Sequence, residues 1–181
     1  MVVFAPRDGL DLESMLEFAV NYDDGPIAIR YPRGGSEVEP IPAVRKPIVP
    51  GNGEILTEGT DGAVLALGST VIPSLYAARN LSAQGINITV ADARSAKPVD
   101  VALIKQLATI CGKLISVEEN TLYGGFGNAV SLVLEKNNIP CRLRRIGLED
   151  RFIEHGPRSL LLQQNNLSAD KLTHIFKEFF Q

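Results

Sequence analysis

The chain has 181 residues, 45% of them apolar and 22% charged, with a formal net charge of −3. Those values are ordinary for a soluble globular protein. Charges of both signs are scattered along the chain, which argues against a nucleic-acid binder, since that needs a basic patch. The longest apolar runs, such as residues 63–67, fall far short of the roughly 18 residues of a membrane helix. Met1 is not followed by the charged and apolar segments of a secretory signal, so none is expected.

Val2-Val3-Phe4 reads as a short strand that stops before Pro6. Asp8 is a good helix N-cap, with Asp11 in the position of a capping-box acid. Leu12, Met15, Leu16 and Ala19 give that helix its expected buried face. Asp23-Asp24-Gly25-Pro26 is a turn, and residues 27–31 form a strand closed by Pro32. A strand-helix-strand unit of this size is too small to fold alone. It either adds to the domain C-terminal to it or ends a larger domain, and the next segment favours the second. Between Gly34 and Gly53 stand Pro40, Pro42, Pro47 and Pro50 without periodicity, which is the composition of a semi-rigid linker.

From Gly53 the pattern becomes regular. Residues 54–57 and 63–67 flank a loop ending in Asp61-Gly62 and read as a hairpin. A helix capped by Ser69 or Thr70 comes next, with Pro73 harmless in its first turn, and Gly85 ends it. Strand 86–90 leads into the charged connection 92–100, which reads as a charged site loop or equally as a solvated strand-to-helix connection, and Asp100 caps a helix that ends at Gly112. Strand 114–117 runs into a glycine turn and a helix with Phe126, Ala129, Val130, Val133 and Leu134 on one face. Strand 141–146, a loop over 147–156, a short helix over 158–164 and a helix capped by Ser168 complete the chain. Strands alternating with helices imply a mostly parallel sheet with helices on both faces and one antiparallel strand.

Two cysteines, Cys111 and Cys141, lie far from any CxxC or Cys/His cluster and read as reduced structural thiols. His155 and His174 are too isolated for a zinc site. The turn Glu118-Glu119-Asn120-Thr121-Leu122-Tyr123-Gly124-Gly125-Phe126-Gly127 invites a phosphate reading. Its glycines come too late after the strand for a dinucleotide fingerprint, and its carboxylates would repel phosphate. Adjacent carboxylates on a strand also point to opposite faces, so a structural turn is favoured. Arg30-Tyr31-Pro32-Arg33-Gly34-Gly35 is the better chemical candidate. It lies at a strand end, where an arginine fork can hold phosphate or carboxylate; the competing reading pairs Arg30 or Arg33 with Glu37 or Asp24. Residues 147–156 bring together acids, a base and His155, but without a nucleophile or an oxyanion hole. His155 is expected to close the loop by a hydrogen bond.

Four motifs occur together. They are Asp24-Gly25-Pro26 through Arg30-Tyr31-Pro32-Arg33-Gly34, Asp92-x-Arg94-x-x-Lys97-Pro98-Val99-Asp100, Glu118-Glu119-Asn120 with Gly124-Gly125-Phe126-Gly127, and Gly147-Leu148-x-Asp150-Arg151-Phe152-Ile153-x-His155-Gly156. In order and spacing the whole chain resembles the C-terminal part of the 1-deoxy-D-xylulose-5-phosphate synthase family of transketolase-like thiamine diphosphate enzymes. Ser95 stands where that family usually has an aromatic residue, and Glu149 where it usually has proline.

The resemblance implies a transferase that condenses pyruvate, with decarboxylation, and glyceraldehyde 3-phosphate. It works as a homodimer with thiamine diphosphate and Mg, in the bacterial cytoplasm or the plastid stroma. It implies a transketolase C-terminal-domain-like α/β fold: a mostly parallel five-stranded sheet with one antiparallel strand and helices on both faces. Residues 1–34 would end a pyrimidine-binding domain, 35–52 would be a linker, and 53–181 the C-terminal domain. Arg33 matches the family's substrate-phosphate arginine. The glutamate and histidines near the cofactor, and the Gly-Asp-Gly…Asn metal-diphosphate motif, find no counterpart here; Thr60-Asp61-Gly62 is no substitute. No catalytic, cofactor or metal residue is therefore expected, and the chain alone is expected to be inactive. The alternatives are the β subunit of a 2-oxo-acid dehydrogenase first component, or a stand-alone nucleotide-binding or interaction module using the glycine turn.

Overall fold

The computed structural model describes residues 1–34 and 46–181, the side chains of Ile110 and Cys111 excepted. The expected linker thus lies largely outside the described residues. Two sheets share one body. The first has the order β2-β1-β6, built from β1 (Val2–Phe4), β2 (Ile27–Ile29) and β6 (Ser95–Lys97). Helix α1 (Gly9–Val20) joins β1 to β2, which run parallel with Val2 opposite Ile27 and Phe4 opposite Ile29.

The second sheet has the order β3-β5-β4-β7-β8. Its strands are β3 (Glu54–Thr57), β4 (Gly62–Ala66), β5 (Ile88–Asp92), β7 (Lys113–Thr121) and β8 (Arg142–Leu148). All pairs are parallel except β3 with β5. The expected hairpin is corrected here: β3 and β4 do not pair, because β5 lies between them and takes the antiparallel partner itself.

Every residue of β4 and β5 is buried, as central strands covered on both faces must be. Alternation sorts their side chains. Val64, Ala66, Val90, Ile115 and Val117 face α2 (Val71–Ser82) and α6 (Ala169–Phe180). Ala63, Leu65, Ala91 and Leu114 face α3 (Val101–Cys111) and α4 (Phe126–Lys136). Gly62 is required by this packing, since a Cβ there would collide with the ring of Phe180. The short helix α5 (Arg158–Gln164) comes after the loop that leaves β8.

The first unit is fastened to the second sheet by backbone and by burial. Strand β6, which the sequence reading leaves inside a connection, pairs antiparallel with β1. Ala5 N donates to the carbonyl of Arg94 at 2.9 Å. A small core of Val2, Phe4, Met15 and Ile48 closes the unit. Leu16, expected inside, is 49% exposed; the buried stripe of α1 is narrow and centres on Met15.

Candidate functional site

The segments that leave β1, β2 and β4 open on one cavity of about 410 Å³. Tyr31, Pro32 and Gly34 line one side of it, Ser69, Tyr76 and Arg158 another. The segment 30–34 leaves β2 as a strap. Arg30 N donates to the carbonyl of Phe4 at 2.9 Å, continuing the strand pairing by one residue. The Arg30 guanidinium reaches across to β7, where Nη2 donates to the Glu119 carbonyl at 2.6 Å and lies 3.8 Å from Glu119 Oε1. Arg33, three residues on, is exposed, and its guanidinium has no partner among the described residues. Of the competing partners, Glu37 lies outside the described residues; Arg30 pairs with Glu119 rather than with Asp24.

Glu118 and Glu119 point to opposite faces of β7, as strand geometry requires. Glu119 receives the Ser69 hydroxyl and, at 2.6 Å, Arg158 Nη2. Glu118 is buried and accepts the backbone N–H groups of Phe126 and Gly127 at 2.7 and 2.8 Å. The carboxylate therefore fills the N-terminus of α4, the position a phosphate would take. Burial pushes its pKa up from the usual carboxylate value, although the two N–H groups and Arg145 oppose the rise. Gly125 is required by this cap, because a Cβ there would strike the Thr121 carbonyl and the Glu118 carboxylate. The glycine turn is a cap filled from within, which overturns the stand-alone nucleotide-binding alternative built on it.

A second constellation escapes the sequence reading. Arg7 Nη1 binds Glu54 Oε2 at 2.9 Å and Asp92 Oδ2 at 3.0 Å. Arg94 Nη2 binds the same Glu54 oxygen at 2.8 Å and lies 3.9 Å from Asp11 Oδ1. All five side chains are buried, where ions persist only when paired and hydrogen-bonded. Desolvation and the neighbouring Asp11 push the Asp92 pKa up to about 7, against the opposing pull of Arg7 and Arg94. Asp11 is raised too, by burial first. Burial works to lower the Arg7 pKa, but Asp92, Glu54 and Asp11 outweigh it and hold it raised. Asp92 and Arg94 were readable as a solvated connection; they are instead the junction between the two sheets. The end of the connection behaves as that reading expects: Lys97 and Pro98 are exposed, and Asp100 caps α3 by accepting from Leu103 N at 2.8 Å.

The loop after β8 holds no catalytic constellation among the described residues. Glu149 pairs with Arg151 at 2.9 Å in solvent, and Phe152 is fully exposed. His155 is exposed and makes no hydrogen bond among the described residues, so its expected loop-closing role is corrected. Among the described residues no group of three or more His, Cys, Asp or Glu is arranged to hold a metal.

A family model described as "Transketolase, C-terminal domain" matches residues 51–172. The chain belongs to the transketolase C-terminal domain family. Relatives include 1-deoxy-D-xylulose-5-phosphate synthase 1 of Geobacter sulfurreducens, 46% identical over 93% of this chain and 26% of that protein. The enzyme of the same name from Geobacter metallireducens is 43% identical over 100% and 29%. The 1-deoxy-D-xylulose-5-phosphate synthase of Thermomicrobium roseum is 42% identical over 95% and 27%. The chain thus spans under a third of the length of these relatives. A solved structure described as a split-gene transketolase, an inactive β4 tetramer, superposes with a TM-score of 0.89 at 32% identity, covering 99% of this chain and 58% of that one. The transketolase of Campylobacter jejuni shares the fold, with a TM-score of 0.66 at 23% identity over 98% and 26%. Within the transketolase C-terminal domain match lie Glu54, Asp92, Arg94, Glu118, Glu119 and Arg158, whereas Arg7, Arg30 and Arg33 precede it. The relatives favour the synthase over the dehydrogenase β subunit.

Proposed function

We propose that the chain forms the C-terminal part of a 1-deoxy-D-xylulose-5-phosphate synthase. That enzyme joins pyruvate, with loss of carbon dioxide, to glyceraldehyde 3-phosphate for isoprenoid, thiamine and pyridoxal synthesis. The observation that carries this reading is the relatives of that name, 42–46% identical over at least 93% of the chain. Residues 1–34 end a pyrimidine-binding domain, 35–52 link, and 53–181 form the C-terminal domain. The assembly is a homodimer of the bacterial cytoplasm or the plastid stroma. Separately, no helix among the described residues is long and apolar enough to cross a membrane.

Among the described residues no group of three or more His, Cys, Asp or Glu offers the Mg ion of thiamine diphosphate a donor set. No step through either is assigned to this chain, and the 181 residues alone bind no cofactor. Titration calorimetry with thiamine diphosphate and Mg tests this, and saturable binding would sink it.

The chain's own contribution is Arg33. It offers two parallel charge-assisted hydrogen bonds to the phosphate of the aldehyde from a strand end bounded by Pro32 and Gly34. Losing such bonds typically costs about 1.5–3 kcal/mol. In the complete enzyme, Arg33→Ala is therefore expected to raise the KM for glyceraldehyde 3-phosphate roughly ten- to hundredfold. The KM for pyruvate should change far less. Equal changes in both would mark Arg33 as structural.

A further inference from the structure

The strap carries two arginines three residues apart, and the structure treats them differently. Arg30 is fixed at both ends of its residue: its backbone N–H to Phe4, and its guanidinium to the carbonyl and the carboxylate of Glu119. Glu119 is itself held in place by Ser69 and Arg158, and its side chain is 16% exposed. Arg158 starts α5 and Ser69 precedes α2, so the carboxylate ties β7 to two further elements of the C-terminal body. Arg33 has none of these ties among the described residues.

Resting on the reading that Arg33 grips a phosphate, we infer that Arg30 is a positioning residue that, through Glu119, fixes the strap so that Arg33 meets the phosphate in register. Glu119 also withdraws Arg30 from the ligand. With Arg30 and Arg158 both turned onto one carboxylate, Arg33 is the strap's cation that presents its full charge outward. A long exposed side chain loses rotamer freedom when it binds. A fixed backbone beneath it keeps that loss from being enlarged by movement of the strap. Small misplacement of a binding group is enough to lower rates by orders of magnitude.

The test is a double-mutant cycle in the complete enzyme with Arg30→Met, Arg33→Ala and the double variant. Arg30→Met is expected to raise the KM for glyceraldehyde 3-phosphate about tenfold, with the KM for pyruvate moving less than about twofold. In the Arg33→Ala background the same replacement should add less than about twofold, because its effect passes through Arg33. Equal rises in both backgrounds would overturn the inference and leave Arg30 acting by its own charge or as a structural tie. So would a change common to both substrates. If Arg30→Met fails to fold, Arg30→Lys keeps the charge and the aliphatic stem and carries the same cycle. If Arg33→Ala itself shows no preference for the phosphorylated substrate, the phosphate reading fails, and the role of Arg30 falls with it.

Discussion

Arg7→Met is expected to destabilise the chain by about 3–5 kcal/mol at pH 7.5, the cost of removing one partner from a buried ion pair. For a protein of this size that corresponds to a fall in Tm on the order of 10 °C. The Arg7 side chain is fully buried and donates to Glu54 at 2.9 Å and to Asp92 at 3.0 Å. Methionine fills much of the same volume but offers neither bond. Arg94 would be left as the cation facing Glu54, Asp92 and Asp11, and the excess negative charge would have no water to dissipate into. A surface pair makes the contrast. Arg151 and Glu149 lie at the same 2.9 Å separation but with side chains 60% and 74% exposed. Arg151→Ala should therefore cost no more than about 0.5 kcal/mol. Denaturant unfolding of both variants checks the pair of expectations. A loss below about 1 kcal/mol for Arg7→Met would show that the cluster relaxes or takes in water.

The alternation of strands and helices after residue 60 was legible because most segments carry their own period, and the helix 169–180 falls where its apolar stripe puts it. Pairing was less legible. Asp61-Gly62 is a good local turn signal, yet β5 comes from 26 residues later and takes the place between β3 and β4. A local signal carries no information about which distant strand intervenes. Strand β6 was invisible for a similar reason: Ser95-Ala96-Lys97 has no strand pattern and becomes a strand because β1 offers an edge. At the site, an arginine next to proline and glycine at a strand end drew attention to the strap. The division of labour within it did not show, since Arg30 is assigned by Glu119, 89 residues away. The charge cluster was equally hidden, its members spread from Arg7 to Arg94 and each individually ordinary for a surface. Burial is what makes them unusual, and burial belongs to the packing of two units that no local window contains.

That packing also fixes how stability should respond to pH. Asp92 releases its proton near 3.8 when unfolded and at about 7 when folded, chiefly because burial disfavours the charge. Between those values the folded chain holds a proton that the unfolded chain has lost. Folding is therefore favoured at the acid end of the window, and this contribution declines as pH rises from about 4 to about 7 before levelling off. The gap amounts to about 4 kcal/mol as an upper bound, reduced by whatever protonation Asp11 shares. Asp11 and Glu118, also raised by burial, act in the same direction. Asp92→Asn removes the titration while keeping an oxygen for the N–H of Arg94, which Asp92 Oδ1 accepts at 2.9 Å. The expected result is a Tm that falls more steeply between pH 5 and 8 in the parent than in Asp92→Asn, by an amount worth about 2 kcal/mol or more. Exposed carboxylates titrate identically in the two proteins, so the difference between the curves isolates the buried group. Parallel curves would mean that Asp92 is ionised throughout, with Arg7 and Arg94 sufficient to hold three carboxylates charged. In that case Arg7→Met should be as damaging at pH 5 as at pH 7.5. If Asp92 instead retains its proton, the same replacement should do less harm at pH 5, where the cluster already carries one negative charge fewer.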